Sequence, residues 1–238
     1  MITSSIFNSH LLQDGFAVVE DVVSLAQIQN LLTALEDLNH QESIRIRGGM
    51  FAVRNLLEVS PVIRELASSI ALRNLVEPVL GLGAFPVRGI LFDKIPKANW
   101  KVPWHQDVTI AVQEKIETKE FGPWSPKAGV LHVQPPASVL ENMLSVRIHL
   151  DDCGETNGAL KVIPASHLRG RLSDDEVQHI RETQSHHTCE VNAGGALLMR
   201  PLLLHASSPS TMPLHRRVVH IDYAASLLPN GLRWLSQE

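Results

Sequence analysis

Three His-x-Asp triplets carry the residue types and spacing in this sequence that best suit chemistry: His105-Gln106-Asp107, His149-Leu150-Asp151 and His220-Ile221-Asp222. Residues i and i+2 of a strand project from one face, roughly 7 Å apart along the backbone, so each triplet can present an imidazole and a carboxylate to one cation. A mononuclear iron site of the two-histidine, one-carboxylate kind takes its third ligand from elsewhere in the chain and keeps positions open for other molecules. At least two of the triplets must therefore be incidental. His220 has no histidine after it and could recruit only an earlier one. His149 lies on an alternating segment that runs into Asp151-Asp152-Cys153-Gly154, a turn where a surface role is expected. His105 stands between Trp104 and a strand-like run, residues 108–112. His205, closing the apolar run Leu202-Leu203-Leu204, is the candidate third ligand. Arg216 and Arg217 follow, and strand alternation turns one of them inward. A buried guanidinium holds a carboxylate through two parallel charge-assisted bonds, which suits a dicarboxylate cofactor chelating the metal.

The elements that must position these groups change character near Phe85. Before it come a short apolar strand at residues 16–19 and then helices. Ser24 opens a capping box with Gln27, and Leu25, Ile28, Leu31, Leu32, Leu35 and Leu38 form one helical stripe. Ser60-Pro61 starts a second helix, with proline at the first helical position, where its missing N–H costs nothing. Residues 71–80 continue helically to Gly81. From Phe85 the period falls to 2. Arg88, Ile90, Phe92 and Lys94 share one strand face, and Leu144, Val146, Ile148 and Leu150 alternate with Ser145, Arg147, His149 and Asp151. Residues 191–204 and 218–224 supply further strands. Helices followed by spaced strands predict a mainly β fold, one domain over residues 1–238, with a helical part (1–84) packed on a β core (85–225). Residues 111–142 contain Pro123, Pro126, Pro135, Pro136, Gly122 and Gly129, and read as an irregular, lid-like insert.

Composition narrows the classes. The 238-residue chain is 44% hydrophobic and 19% charged, enough apolar material for a core and too balanced for disorder. A formal charge of -4 argues against a general binder of nucleic acid or anionic membrane. Cys153 and Cys189 alone build neither a disulfide framework nor a structural zinc site, which points to the cytoplasm. Residues 1–9 carry no Lys or Arg and no run is long enough to span a bilayer, so neither a signal peptide nor a membrane anchor is expected. The 12 histidines permit a nitrogen-and-oxygen metal site. A small-molecule substrate is the expected partner, and composition does not set the oligomeric state.

Taken in order, His105-Gln106-Asp107, His205 with Ser207, and Arg216 resemble the phytanoyl-CoA dioxygenase family. The likeness extends over most of the chain. Asp14-Gly15-Phe16 resembles the family's opening strand, and Leu91-Phe92-Asp93-Lys94 the strand before the metal motif. Leu150-Asp151-Asp152, with Asn157-Gly158 and Pro164-Ala165-Ser166-His167, is similar to its mid-domain signature. The resemblance implies a double-stranded β-helix (jelly-roll, cupin-like) fold with N-terminal helices. It implies a dioxygenase that uses iron(II), 2-oxoglutarate and O2, releases succinate and carbon dioxide, and hydroxylates an unactivated C–H bond. His105, Asp107 and His205 would then be the metal-binding and catalytic residues. Arg216 would grip the distal carboxylate of 2-oxoglutarate with help from Ser207, Ser145 would offer a cofactor-contacting hydroxyl, and Lys94 would lie nearby. Related halogenases lack the carboxylate, so Asp107 favours hydroxylation; desaturation, ring formation and epimerisation are other outcomes of the same chemistry.

Three departures stand out. Ile90 and Phe92 occupy positions where relatives often put different cofactor-lining groups. Ala165 replaces the commoner glycine, and the insert from Glu114 to Asn142 has no counterpart in members that hydroxylate acyl-CoA. Arg88, Arg147 and Lys94 could receive an anionic or zwitterionic small molecule, with Trp104 and Trp124 stacking on it. Equally, the arginines could pair with carboxylates and the tryptophans close a core. A non-catalytic metal- or ligand-binding jelly-roll protein, and a zinc-dependent hydrolase or isomerase on the same ligands, are readings of other classes.

Overall fold

At the change of period the chain passes from a helical cover into two antiparallel sheets that face each other across a cavity. The computed structural model describes residues 4–39, 51–94, 99–127, 129–211 and 215–237. The cover consists of α1 (Ser4–Gln13), β1 (Phe16–Val19), α2 (Leu25–Asn39), β2 (Phe51–Val53), α3 (Leu56–Val59), α4 (Pro61–Ser68) and α5 (Ile70–Leu80). Ser24 Oγ accepts from Gln27 N at 3.3 Å and Gln27 Oε1 accepts from Ser24 N at 2.8 Å, the expected capping box. Ser60 Oγ accepts from Ile63 N to start α4. A further serine, Ser69, accepts from Leu72 N and divides the expected second helix into α4 and α5. Gly81, at φ 90°, ends α5 despite Pro78 in its last turn. Leu25 departs from the predicted stripe. As the first residue of α2 it lies at the end of the packed face and stands in solvent, while Ile28, Leu31, Leu35 and Leu38 are buried.

The β part runs through β3 (Phe85–Lys94), β4 (Val102–His105), β5 (Ile110–Val112), β6 (Trp124–Lys127), β7 (Val130–Val133), α6 (Ala137–Glu141), β8 (Met143–His149), β9 (Leu160–Val162), α7 (Asp174–Thr183), β10 (His187–Cys189), β11 (Ala196–Met199), β12 (His205–Ser207) and β13 (Arg216–Ala224). The major sheet has the order β1-β11-β8-β13-β3-β2 and the minor sheet β10-β9-β12-β4. The result is a mainly β, jelly-roll-like pair of sheets that does not close into a barrel.

Alternation sorts the major sheet into two chemistries. Leu91, Leu144, Val146, Ile148, Val219 and Ile221 pack against the helices. Arg88, Ile90, Phe92, Arg147, Arg216 and His220 face the cavity. Each buried Leu, Ile or Val contributes roughly 1.5–3 kcal/mol, and a slip of one residue would exchange the two faces. The helical layer thus fixes the register that aims the polar set inward. His149 follows the same rule and is buried on the inner side of β8, not at the surface as its turn suggested.

The insert is also more regular than its prolines predict. β5, β7 and β6 form a three-stranded antiparallel sheet in that order. Pro126 is tolerated because β6 is an edge strand, where a missing N–H breaks no ladder on its free side. Ile110, Val112, Val133 and Leu140 share a core with Leu228, Leu232 and Trp234 near the chain's end.

Candidate active site

β4 and β12 are neighbours in the minor sheet, and their register sets His105 directly opposite His205. Both rings are turned the same way by the backbone. His105 Nδ1 donates to Pro103 O at 2.9 Å, and His205 Nδ1 donates to Leu203 O at 2.8 Å. A carbonyl only accepts, so both Nδ1 atoms carry the proton and both Nε2 lone pairs are free. They converge on Asp107: His105 Nε2 lies 3.9 Å from Oδ1 and His205 Nε2 lies 3.8 Å from Oδ2. One ligand atom from each of the three residues lies within 4.8 Å of the others, the spacing of a set that shares one ion.

Asp107 sits just past β4 and is held by what surrounds it. Its N–H donates to Pro201 O at 2.9 Å. Gln106, the residue inside the triplet, points the other way. Its Nε2 donates to Leu202 O and Gly170 O, and its Oε1 accepts from Leu172 N. This clamp ties the triplet to the segment that carries His205. Desolvation opposes ionisation of Asp107, but His205, His220, His105 and Arg88 together hold it below the usual carboxylate range. Burial pushes His205 down to about 4, so its imidazole is neutral at pH 7, as a metal ligand must be.

The triad opens into a cavity of about 340 Å³ between the sheets. Arg216 reaches into it from β13, nearly fully buried, with one Nη donating to Gly158 O at 2.6 Å. Its buried Nε has no hydrogen-bond partner among the described residues. Gly158 has φ 69°, and a Cβ there would meet Ser208 O at 2.8 Å, so only glycine lets the Ser208 carbonyl come this close. Arg217 takes the outer face and pairs bidentately with Asp151, at 2.9 Å from Nε and 2.6 Å from Nη2. Alternation therefore resolves the arginine pair in favour of Arg216. Lys94 Nζ donates to Ser207 Oγ at 2.9 Å and to Ser208 O at 2.8 Å, beneath Trp100. Burial and then the adjacent Arg216 pull this ammonium down to about 7.

Several predicted residues are used differently. Arg88 is locked to Asp222, with Nε 2.7 Å and Nη2 2.6 Å from Oδ2. Ser145 donates to Asp222 Oδ1 at 2.6 Å; it is fully buried behind the cavity and does not line it. Trp104 alternates to the outer face of β4 and packs with Ile163, Ile180 and Leu204. Trp124 packs into the core of the insert. Neither tryptophan lines the cavity, because each alternates onto an apolar cluster. Arg147 does line it. One Nη lies 3.0 Å from His220 Nδ1, and the guanidinium stands over Phe92. Sequence reasoning missed Arg54, Lys127, Thr109 and Trp100, which also line the cavity. It also set His220 aside, although that ring joins them.

The model of the phytanoyl-CoA dioxygenase (PhyH) family matches residues 11–218. Among solved structures, the chain is similar to SnoK, a non-heme alpha ketoglutarate dependent carbocyclase from nogalamycin biosynthesis. The identity is 17% over 94% of this chain and 84% of that one, with a TM-score of 0.74. The epimerase SnoN, in complex with Fe3+, alpha ketoglutarate and nogalamycin RO, is 18% identical over 93% and 83%, with a TM-score of 0.72. AviO1 from Streptomyces viridochromogenes Tue57 is 23% identical over 97% of both chains, with a TM-score of 0.69. These identities establish a shared fold. No curated protein matches the chain in sequence. With most of its length matched by one family model, and with two imidazoles and a carboxylate converging in a basic cavity, the chain belongs to the phytanoyl-CoA dioxygenase family.

Proposed function

We propose that this chain hydroxylates a C–H bond of a small molecule in an iron(II)- and 2-oxoglutarate-dependent reaction. The observation that carries the reading is the Asp107 carboxylate facing both free Nε2 atoms, a complete donor set of the kind that suits non-heme iron(II). Iron(II) with 2-oxoglutarate and O2 supplies the oxidising power, one oxygen atom leaving in succinate and the other entering the substrate.

The chain's own residues hold and orient. Pro103 O and Leu203 O fix the two imidazoles so that no rotamer search precedes metal binding. Arg216, already anchored on Gly158 O, offers its unpartnered Nε to the distal carboxylate of 2-oxoglutarate. Lys94 holds the Ser207 hydroxyl as an acceptor, which leaves the Ser207 proton free for that carboxylate. Ile90, Phe92 and Leu160 line the space between and exclude water. Asp107 would hold the metal as a third protein ligand, a carboxylate that related halogenases lack, which favours hydroxylation over halogenation.

The carbocyclase and the epimerase among the similar structures support a second reading of the product. The same oxidising centre could close a ring or invert a carbon when the substrate is held differently. One experiment tests all of these. Purified protein with iron(II), 2-oxoglutarate and O2 is screened against metabolites for stimulated succinate release, and the product's mass is measured. Hydroxylation adds one oxygen atom, ring closure removes two hydrogens, and epimerisation leaves the mass unchanged. No succinate with any metabolite, together with no 2-oxoglutarate binding, would end the oxygenase reading.

A further inference from the structure

The cavity holds more positive charge than its cofactor can neutralise. Among the described residues, six cations line it, Arg54, Arg88, Lys101, Lys127, Arg147 and Arg216, against one carboxylate, Asp107. Asp107 belongs to the metal set, and Arg88 is spent on Asp222. 2-Oxoglutarate brings two negative charges, which Arg216 and the metal meet. Of the other four, Lys101 is exposed at the rim and Arg147 is held by His220 and Phe92, which leaves Arg54 and Lys127, at the side formed by the accessory parts of the chain. Arg54 directly follows β2, and Lys127 ends β6 of the insert.

Among the described residues, neither cation has a carboxylate partner. Lys127 Nζ donates to Thr109 Oγ1 at 2.9 Å, which leaves two of its N–H groups free. Arg54 makes no hydrogen bond or ion pair among the described residues. Both are half-buried, and burial together with Arg88 lowers the proton affinity of each. Arg54 adds to the strain on Lys127. Beside them, burial holds His132 down to about 4, so it contributes no charge at pH 7. Half-buried like charges without counter-ions are costly unless a ligand supplies the counter-charge.

We propose that Arg54 and Lys127 form a receptor for an anionic head group of the substrate, a carboxylate, phosphate or sulfate borne by a small molecule. This inference rests on the oxygenase reading only in calling that molecule the substrate. The planar fork of Arg54 suits two oxygens of one oxyanion, and the Lys127 ammonium suits a third contact. The strands of the two main sheets then supply metal and cofactor chemistry, while β2 and the insert choose what is oxidised. The sequence suggests Arg88, Arg147, Lys94 and the insert as receptors for an anionic or zwitterionic molecule; the receptor proposed here rests on Arg54 and on Lys127 of the insert instead.

The test uses anaerobic protein carrying iron(II) and saturating 2-oxoglutarate, titrated calorimetrically at constant ionic strength. The probes are inorganic phosphate, sulfate, acetate and the neutral acetamide. At least one oxyanion binds saturably, and its identity tells the phosphate, sulfate and carboxylate sources apart. Arg54→Gln and Lys127→Gln each weaken that binding about tenfold or more, and Arg54→Lys weakens it less. Lys115→Gln, an exposed lysine of the same insert, binds as the unaltered protein does. Absence of oxyanion binding, equal binding of acetamide, or retention by both glutamine variants would overturn the inference. 2-Oxoglutarate binding and succinate formation are measured first. A protein that makes succinate but ignores oxyanions loses this inference alone, and one that binds them yet makes no succinate loses the oxygenase reading alone.

Discussion

Two His-x-Asp pairs face the same cavity and do opposite things. In His105-x-Asp107 each imidazole proton is given to a backbone carbonyl, and the lone pairs are left for an ion. In His220-x-Asp222 every polar atom is already used. His220 Nε2 donates to Asp222 Oδ1 at 2.8 Å, its Nδ1 accepts from Arg147, and Asp222 also receives Arg88 and Ser145. Burial alone would raise the pKa of Asp222, but Arg88 and His220 hold it well below the usual carboxylate range. The same three-residue pattern thus yields a metal site where donors are unsatisfied and a structural brace where they are satisfied. What separates them is the partner set, which the pattern does not encode.

The largest effects should separate the two pairs. Asp107→Ala removes a ligand and should cut iron-dependent succinate formation by more than about 100-fold, beyond what changes outside the ligand set usually cause. Its thermal midpoint should stay near that of the unaltered protein. Asp222→Asn should do the reverse. It leaves Arg88 buried without a counter-charge, at a cost of about 3–5 kcal/mol in urea unfolding, while iron binding persists. Because Asp222 ionises more readily in the folded chain, its stabilisation is complete above its ordinary value of 3.8 and drains away as pH falls below that towards the lower value it has in the folded chain. The asparagine variant should therefore lose less stability on acidification than the parent, as read from unfolding midpoints between neutral pH and pH 3.

A smaller effect sharpens the arginine assignment. Arg216→Gln should raise the apparent KM for 2-oxoglutarate about 10–150-fold, the range of one charge-assisted bond. Arg217→Gln, which loses only an outer pair with Asp151, should leave it near the parent value. The smallest effect concerns the backbone. Ala165 is held at φ 62°, where a side chain is strained, so Ala165→Gly should stabilise the fold by about 0.5–1 kcal/mol with activity intact.

The parts that were legible in the sequence are those fixed by local rules. Alternation placed Arg88, Ile90, Phe92 and Lys94 on one face of β3, and the serine caps placed the helix starts. That His105, Asp107 and His205 could share an ion was legible from the His-x-Asp spacing, the histidine closing an apolar run and the order of the family-like motifs. The partners of Arg88 and Ser145 were not, since Asp222 lies 134 and 77 residues away and meets them only through the β13 pairings. Arg54 and Lys127 left no signal at all. Their convergence depends on how the helical cover and the insert pack on the two main sheets, and no short-range pattern reports that. The insert looks irregular in sequence because prolines act as breakers, whereas Pro126 sits at a sheet edge that tolerates it.

The claim at the centre of this account is that His105, Asp107 and His205 hold iron(II) while Arg216 anchors 2-oxoglutarate beside it. Anaerobic addition of iron(II) and then 2-oxoglutarate, followed by visible absorption, tests it most directly. A metal-to-cofactor charge-transfer band should appear in the parent and in Asp222→Asn, should require more 2-oxoglutarate in Arg216→Gln, and should be absent in Asp107→Ala at the same concentrations. A band of full intensity in Asp107→Ala, or none in the parent, would contradict it.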